Sequence, residues 1–507
     1  MLARVQSYLL QGIDALPCEV EIDLDNTAMS RRTIVGLPDA AVMESLERVD
    51  SAIGNSGYPI ARGHLVINLA PADKKKEGPV YDLPIAVGLL ATSGVIRPEP
   101  DGIDPRRFLF AGELALDGRV RPVKGVIALA SLARSEGMHG VVVPHENEAE
   151  AAVVEGIDVY GVRTLAEVVG LIAGQIEREP AAGPDVARLL EEAEADIDFA
   201  DVRGQEAVKR AMVIAAAGGH NIVMLGPAGS GKTMMAKALP GILPPLTPEE
   251  AIEITRIYSA AGALPPGVGL MTTRPVRSPH HTASSAAIVG GGIVPRPGEI
   301  SLAHRGVLFL DELPEFSRPV LETLRQPMED HVVTVARAHS SVRFPASFML
   351  VAAMNPTHKG DVSAGETGRR DQERYLSRLS GPLLDRIDLH VEAPGVAWKE
   401  LSSKPTGTSS DQMREQVARS RARQIARQGP TTPNARLSGK QLDKLAPMSD
   451  AARSMLGQAL TELGLSARAY DKIRRISRTI ADLDGAEGID SAHVAEAVQY
   501  RLLDRRV

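Results

Sequence analysis

The chain is poor in aromatic residues, has a single cysteine and contains no long apolar run. Aromatic side chains make up 3% of its 507 residues, so base stacking is not expected as its main means of binding. With only Cys18, neither an intrachain disulfide nor a cysteine-clustered zinc site can form, and a reducing cytosol suits such a chain. No apolar stretch approaches the ~18 residues of a membrane span, and the N-terminus does not resemble a signal peptide. We therefore expect a cytoplasmic protein without membrane contact.

The overall charge is mildly acidic. The formal net charge is −7, so the basic signature of many nucleic-acid-binding proteins is missing from the chain as a whole. Any contact with a polyanion must come from local basic patches. The length predicts two to four domains, and the 44% hydrophobic content suffices for their cores.

Changes in composition along the chain predict three folded regions. Residues 1–175 mix β-rich and helical runs, and residues 176–196 form an acidic linker. Residues 197–400 carry the strongest motifs, and residues 412–507 show helical periodicity throughout. The clearest predicted elements of the first region are strands at Gly63–Leu69 and Gly140–Pro144 and helices at Ala40–Ser56 and Val126–Ser135.

A glycine-rich run lies between a predicted strand, His220–Leu225, and a predicted helix that begins at Met234. The glycines let successive backbone N–H groups face one anion, Lys232 can reach the β- and γ-phosphates, and the Thr233 hydroxyl can ligate magnesium. We therefore predict that the chain binds a nucleoside triphosphate, with ATP and magnesium as the expected ligands. The run matches the phosphate-binding pattern G-x-x-x-x-G-K-[ST] and consists of Gly226, Pro227, Ala228, Gly229, Ser230, Gly231, Lys232 and Thr233.

Two further apolar runs end in polar residues. Residues 306–310 precede Asp311, which would hold magnesium through water, and Glu312, which would polarise the attacking water. Residues 349–354 precede Asn355, which could orient that water near the γ-phosphate. Ligands of open α/β sheets bind at the carboxyl ends of the strands, so these side chains are expected near the phosphates. The order of loop, acidic strand and asparagine strand resembles that of AAA+ ATPases, where the asparagine is the first sensor.

Two arginines further along are candidates for contact with the γ-phosphate. Arg386 would be an arginine finger contributed to a neighbouring subunit, and its alternative is a helix-surface arginine paired with Asp385 or Asp388. Arg468 resembles the second sensor, which links a helical lid to the bound nucleotide. The alternatives that stay open are Arg370, Arg374 and Arg378 for the finger, and Arg474 and Arg475 for the sensor.

The chain also contains longer, more specific strings, at Arg277–Ser284, Gly290–Gly292, Pro295–His304, Leu308–Phe316 and Ser380–His390. These strings resemble the YifB/ComM-type magnesium-chelatase-like AAA+ proteins, and the resemblance covers essentially the whole chain. It implies a multidomain α/β protein with a Lon-protease-like α+β N-terminal domain, an AAA+ P-loop core with magnesium-chelatase-type insertions and a C-terminal helical lid. It also implies a hexameric ATPase ring that acts on DNA as a branch-migration helicase in recombination and natural transformation.

Basic residues in two segments are the candidates for DNA contact. One segment is the long insertion before Asp311, and the other is a β-hairpin predicted over residues 332–344. In a ring, such hairpins would face the pore and grip a phosphate backbone, whereas the alternative is a solvated charged hairpin. The candidate residues are Arg277, Arg296, Arg337, His339 and Arg343.

Metal sites other than the magnesium site are not expected. Relatives usually carry a cysteine-rich loop after the first sensor, but Asn355–Asp361 contains no cysteine, so we expect no zinc. His280, His281 and His304 have no carboxylate at helical spacing, and we interpret them as polar packing or phosphate contacts.

The N-terminal region lacks the catalytic groups of the protease that it resembles. Val80 and Ile127 stand where a Lon-type protease has its serine and its lysine. Neither side chain can act as nucleophile or base, so we expect no proteolysis and interpret the region as a ring scaffold or DNA-contact surface. The alternative to a DNA motor is a chelatase-like ATPase that remodels a protein partner without DNA, which the acidic net charge favours.

Overall fold

The computed structural model describes residues 1–25, 27, 31–97, 102–292, 295–337, 340–356, 375, 377–396, 407–501 and 503. The chain divides into two compact units. The first comprises Met1–Leu190 and Thr247–Thr272, and the second comprises Glu191–Leu246 and Thr273–Val507. Within these described stretches, no helix is long and apolar enough to cross a membrane.

The first unit is built on a seven-stranded mixed sheet. Its strands are β1 (Leu2–Gln11), β2 (Asp14–Asp25), β3 (Arg31–Val35), β4 (His64–Ala70), β5 (Phe108–Phe110), β8 (Gly140–Pro144) and β9 (Asp158–Val162), while β6 (Glu113–Leu114) and β7 (Val120–Arg121) form a separate pair. The sheet order is β3-β4-β2-β1-β5-β8-β9. Strands β1, β2 and β4 pair antiparallel, and the remaining pairs are parallel. Both predicted strands of this region are confirmed.

Helices of the first unit pack apolar faces against this sheet. They are α1 (Ala40–Met43), α2 (Ser45–Asn55), α3 (Asp82–Thr92), α4 (Val126–Ser135), α5 (Glu148–Ala151) and α6 (Leu165–Ile172). Helix α7 (Val186–Glu191) has no buried residue and spans the point in the sequence at which the first unit ends. Nearly every residue of α3 is buried, as its apolar sequence requires. The predicted helix Val126–Ser135 is confirmed, and the predicted helix Ala40–Ser56 forms as two helices divided at Glu44.

Helix α10 (Pro248–Ala261) belongs to the first unit, although the residues before and after the segment that carries it belong to the second. The Ser259 hydroxyl accepts a hydrogen bond from the Gly125 N–H (2.9 Å) and donates one to the Glu150 carboxylate. That carboxylate also accepts from the Ile127 N–H at 2.9 Å. Burial raises the pKa of the Glu150 carboxyl, and these hydrogen bonds partly oppose the shift. Buried polar contacts therefore fix α10 to this unit.

The second unit contains a five-stranded parallel sheet. Its strands are β10 (Ile222–Leu225), β11 (Val276–Arg277), β14 (Val307–Leu310), β17 (Met349–Met354) and β18 (Leu389–Glu392), in the order β11-β14-β17-β10-β18. The three apolar runs that were predicted as buried strands are confirmed as β10, β14 and β17, whose residues are all buried. Because every pair is parallel, the carboxyl ends of the strands share one edge of the sheet.

One group of helices accompanies this sheet, and a second group forms the C-terminal region. The described helices of the core are α8 (Glu206–Gly218), α9 (Lys232–Ala238), α11 (Ser285–Val289), α12 (Glu299–Leu302), α13 (Arg318–Thr323), α14 (Arg325–Asp330) and α15 (Gly381–Leu384). Those that follow are α16 (Ser410–Gln428), α17 (Gly439–Leu445), α18 (Asp450–Glu462), α19 (Ala467–Asp484) and α20 (Ser491–Gln499). The predicted helical character of the C-terminal region is thereby confirmed.

Buried polar contacts join the C-terminal helices to the sheet. The Lys472 ammonium of α19 lies 2.8 Å from the Asp388 carboxylate, which immediately precedes β18. Burial alone would raise the pKa of the Asp388 carboxyl, but Lys472 and His220 hold that pKa below its usual range. The His220 ring also contacts the Thr479 hydroxyl of α19 at 2.8 Å. Helix α19 is thus tied to His220, in the turn between α8 and β10, and to Asp388, directly before β18.

The described residues of the second unit also include two short antiparallel strand pairs. Strands β12 (Gly290–Gly291) and β13 (Arg296–Pro297) pair antiparallel, as do β15 (Val332–Arg337) and β16 (Ser340–Pro345). The β-hairpin predicted over residues 332–344 is confirmed.

Candidate nucleotide-binding site

The phosphate-binding loop connects β10 to α9 at the carboxyl edge of the sheet. Gly229 and Gly231 have φ angles of +77° and +87°, in the left-handed region that favours glycine. At Gly226, a Cβ atom would lie 2.0 Å from the Ala393 carbonyl oxygen. The glycines of the motif are therefore required by backbone conformation and by close packing.

Lys232 folds back over the loop that precedes it. Its ammonium donates hydrogen bonds to the carbonyl oxygens of Gly226 and Pro227, both at 2.7 Å, and to Asn355 Oδ1 at 3.3 Å. Desolvation lowers the pKa of Lys232, and the Asp311 carboxylate opposes that shift. The structure thus brings the loop lysine and the candidate first sensor together, across the adjacent strands β10 and β17.

Thr233 and Asp311 form the oxygen pair expected to hold magnesium. The Thr233 hydroxyl donates a hydrogen bond to Asp311 Oδ2 at 3.0 Å. Hydroxyl and carboxylate oxygens are ligands that Mg²⁺ prefers, and the ion usually keeps several waters when it bridges to phosphates. The donor set and the glycine cradle therefore fit a magnesium nucleotide.

Glu312 lies at the same edge in an unusual backbone conformation. Its φ angle is +51°, in the left-handed region, and its N–H donates to Asp311 Oδ1 at 3.0 Å. Its side chain is 49% exposed, and one carboxylate oxygen lies 3.5 Å from His281 Nδ1. Water can therefore reach this carboxylate, as its proposed role requires.

Gln205 supports the loop, and the sequence analysis did not identify it. Its side-chain amide donates to the Ser230 carbonyl at 3.2 Å and to the Pro394 carbonyl at 2.5 Å. Its φ angle is +60°, directly before α8. In the sequence, the only sign of this role is a glycine, Gly204, directly before Gln205 at the start of a helix, and such a pair does not identify a function.

Arg386 and Arg468 line a cavity of about 470 Å³ at the opposite edge of the sheet. Asn221, which also lines it, immediately precedes β10, whereas the phosphate-binding loop follows that strand. A four-residue strand separates the two edges by roughly 13 Å. None of the described residues that line this cavity belongs to the loop. Within one chain, the two arginines therefore do not meet the loop.

Both arginines have partners in this cavity. Arg386 lies 2.5 Å from the Glu329 carboxylate and donates to the Pro382 carbonyl at 2.7 Å, so its acidic partner is neither Asp385 nor Asp388, the two named in the alternative interpretation. Arg468 is 70% exposed and lies 3.1 Å from Asp385. Among the open alternatives, Arg475 also lines the cavity, Arg378 pairs with Glu315 and Arg474 pairs with Asp443, while Arg370 and Arg374 lie outside the described residues.

The residues predicted to contact DNA differ in whether their side chains are exposed or already form an ion pair. Arg277 makes a bidentate ion pair with Glu299, at 2.6 and 2.8 Å, so two of its donors are engaged within the insertion. Arg296 on β13 and Arg343 on β16 are exposed. The side chain of Arg337 and the whole of His339 lie outside the described residues.

The three histidines considered as metal ligands have other surroundings. The rings of His280 and His281 stack at 4.1 Å, and buried His304 accepts a hydrogen bond from the Ser347 N–H at 3.0 Å. Over the described part of the chain, no three His, Cys, Asp or Glu side chains group as a metal site would require. The cysteine-free segment Thr357–Asp361 lies outside that part.

The parallel sheet, the phosphate-binding loop and the acidic strand end together define a P-loop nucleotide-binding core that fits the AAA+ class. Three family models match consecutive parts of the chain. They are Subunit ChlI of Mg-chelatase over residues 20–147, Magnesium chelatase, subunit ChlI over 198–401 and Magnesium chelatase, subunit ChlI C-terminal over 407–501.

Similarity to whole proteins extends over nearly the full length. Competence protein ComM of Haemophilus influenzae is 42% identical over 514 residues, covering 99% of this chain and 98% of the relative. The uncharacterized protein YifB of Escherichia coli is 41% identical over 512 residues with the same coverage of both chains. The Magnesium-chelatase 67 kDa subunit of Chlorobaculum parvum is 29% identical over 226 residues, covering 43% of this chain and 30% of that subunit.

The chain belongs to the YifB/ComM-type magnesium-chelatase-like family. Membership of this AAA+ family indicates ATPase activity and the use of ATP and Mg²⁺.

Proposed function

We propose that this protein is an ATP-hydrolysing ring motor that acts on DNA, of the kind that drives branch migration in recombination and natural transformation. The observation that carries the proposal is the full-length similarity to a competence protein, combined with a phosphate-binding site whose key residues converge. Exposed arginines on two hairpins of the same unit provide the local basic surface that an acidic chain needs for DNA binding.

Each residue of the site has a defined task in this proposal. Lys232 releases the loop carbonyls and pairs with the β- and γ-phosphates, while Thr233 and Asp311 hold the magnesium ion. Magnesium supplies charge neutralisation of the phosphates when bound. Glu312 accepts a proton from the attacking water, and Asn355 orients that water.

The proposal includes a ring, hexameric as the family resemblance implies, because Arg386 and Arg468 would need the nucleotide of another chain to act in hydrolysis. Arg386 and Arg468 lie together at the edge of the sheet away from the phosphate-binding loop. An arginine finger must reach the γ-phosphate in the transition state, so these side chains would serve the nucleotide of a neighbouring subunit. The cavity between the core and the helical lid is then the surface that receives the neighbour's nucleotide.

Replacing Arg386 with alanine is expected to lower kcat by about 10³-fold or more, with little change in nucleotide affinity, because the finger stabilises only the transition state. Mixing Arg386→Ala with Glu312→Gln is expected to restore part of the activity, since each chain supplies the group that its neighbour lacks. Steady-state ATP turnover of each variant and of the mixture measures both effects. Arg378→Ala serves as the control, because Arg378 is the one alternative candidate for the finger that lies among the described residues. Wild-type turnover by Arg386→Ala would contradict the assignment.

DNA is expected to stimulate ATP turnover, and more strongly at low than at moderate salt, because phosphate contacts release counterions. The measurement compares single-stranded, duplex and branched DNA. Replacing Arg296 or Arg343 with alanine should lower the slope of log affinity against log salt by about 1 each. Arg453→Ala is the matched control, because Arg453 is also an exposed arginine and lies on α18, outside both strand pairs. No stimulation and no binding at low salt would reject the DNA motor.

The alternative is an ATPase that remodels a protein partner without DNA. The net charge of −7 favours this function, since an acidic surface repels a polyanion outside its basic patches. Normal turnover that is indifferent to every DNA, but rises with a protein partner, would support it.

We propose that residues 1–175, which lie in the first unit, have a Lon-protease-like fold without protease activity. Ile127 is fully buried, and Val80 packs against the core of that unit. Because both side chains are hydrocarbons, neither position offers a nucleophile or a base. The unit would then serve as a scaffold or a DNA-contact surface.

A further inference from the structure

The backbone that carries Arg386 is held by a side chain at the start of the central strand. Asn221 directly precedes β10, and its side-chain amide donates to the Arg386 carbonyl oxygen at 3.2 Å. Its amide oxygen accepts from the Leu350 N–H, on β17, at 2.8 Å. Because a carbonyl can only accept and a backbone N–H can only donate, these two partners fix the orientation of the amide. One side chain thus joins the backbone at Arg386 to a strand of the sheet.

The backbone of Asn221 contacts the same stretch of chain. Its N–H donates to Asp388 Oδ2 at 3.2 Å, and its carbonyl oxygen accepts from the N–H groups of Asp388 and Leu389, both at 3.0 Å. Residues 385–388, which precede β18 and include Arg386, are named the finger turn. Strand β10 lies between β17 and β18 in the sheet. Asn221 therefore connects the finger turn to both β10 and β17.

The two strands that Asn221 joins also carry residues of the nucleotide site at their other ends. Strand β10 has Asn221 directly before it and the phosphate-binding loop directly after it. Strand β17, which contains Leu350, ends directly before Asn355. All residues of both strands are buried, and a close-packed interior transmits a displacement instead of absorbing it. The contacts of Asn221 therefore fix the finger turn relative to the strands that hold the chain's own nucleotide.

We propose that Asn221 is a positioning residue for Arg386, because it fixes the finger turn so that the guanidinium is presented to the neighbouring subunit in one place. This role of Asn221 rests on the proposed function, since it requires Arg386 to act as the finger. A finger stabilises only the transition state, and a misplacement of about 1 Å can lower a rate by about 10²-fold. Loss of the amide contact therefore lowers kcat and leaves ATP affinity unchanged.

The test is steady-state ATP turnover of Asn221→Asp. The introduced carboxylate can still accept from the Leu350 N–H, but it cannot donate to the Arg386 carbonyl and repels that oxygen. We expect kcat to fall about 10- to 100-fold, less than for Arg386→Ala, with ATP affinity within about twofold of the wild type. Asn55→Asp is the matched control and should leave kcat unchanged. The Asn55 amide also donates to a backbone carbonyl, that of Leu116 at 2.7 Å, but it lies in the first unit.

A double variant shows whether the effect passes through Arg386. In the Arg386→Ala background, Asn221→Asp should produce no further loss of kcat. A further loss of the same size overturns the positioning role, as does a kcat of Asn221→Asp within about twofold of the wild type or an equal loss of ATP affinity. Asn221→Ala, which brings no charge near the Asp388 carboxylate, should show the same loss of kcat. It decides the matter if thermal unfolding shows that Asn221→Asp is not folded.

Comparison with Arg386→Ala separates failure of this role from failure of the proposed function. If Arg386→Ala retains wild-type turnover, the finger assignment fails and the role of Asn221 fails with it. If Arg386→Ala loses turnover while folded Asn221→Asp does not, the finger stands and the positioning role alone is rejected.

Discussion

Replacing Lys232 with alanine is expected to weaken ATP binding by roughly 10- to 150-fold, because a charge-assisted hydrogen bond contributes about 1.5–3 kcal/mol. The lysine side chain is buried between the loop carbonyls and Asn355, so its ammonium is already placed beside the positions of the phosphates. ATP turnover should be lost at ordinary nucleotide concentrations. Titration with a fluorescent ATP analogue measures the affinity.

Lys237→Ala is the matched control for this substitution. Lys237 lies on the same helix, α9, but its side chain is exposed. Its removal changes the net charge equally and should leave nucleotide affinity within about twofold of the wild type. Tight ATP binding by Lys232→Ala would refute the assignment of the phosphate-binding loop.

Glu312→Gln is expected to bind ATP with nearly wild-type affinity and to lose about 10²- to 10⁴-fold in kcat, the usual contribution of a general base. The amide has the same shape as the carboxylate but cannot accept the proton of the attacking water. Parallel measurements of ATP affinity and single-turnover hydrolysis separate binding from chemistry. Because it binds ATP without hydrolysing it, this variant should also trap the assembled ring.

Glu315→Gln provides the comparison for that loss. Glu315 lies three residues further along, and its carboxylate pairs with Arg378 at 2.9 Å. Its substitution should change kcat by less than about threefold. Normal turnover by Glu312→Gln would remove Glu312 from the mechanism.

The sequence was most informative where local chemistry fixes local structure. The spacing from Gly226 to Thr233 predicts a strand, a glycine turn and a helix, and the structure has all three. The apolar runs before Asp311 and Asn355 are buried strands. A strand of four to six consecutive apolar residues is stable when both of its faces are covered, as they are inside a parallel sheet. The roles of these residues in hydrolysis stay predictions until the variants are measured.

The sequence was less informative about which charged residues form ion pairs within the protein. Arg277 is one of several arginines in the insertion, and nothing local distinguishes it from Arg296. In the structure Arg277 is held by Glu299, 22 residues away, whereas Arg296 is exposed. Ion pairing between distant segments depends on the fold and leaves no periodic signal.

The sequence by itself thus determined the family, the phosphate-binding loop and the strands that end in Asp311 and Asn355, because motif spacing and apolar runs act over a few residues. Only the tertiary structure decided that α10 belongs to the first unit, that Arg386 and Arg468 share a cavity away from the loop, and that His281 faces Glu312. These arrangements join residues tens to hundreds of positions apart. They follow from strand order and side-chain packing, which a one-dimensional pattern does not encode.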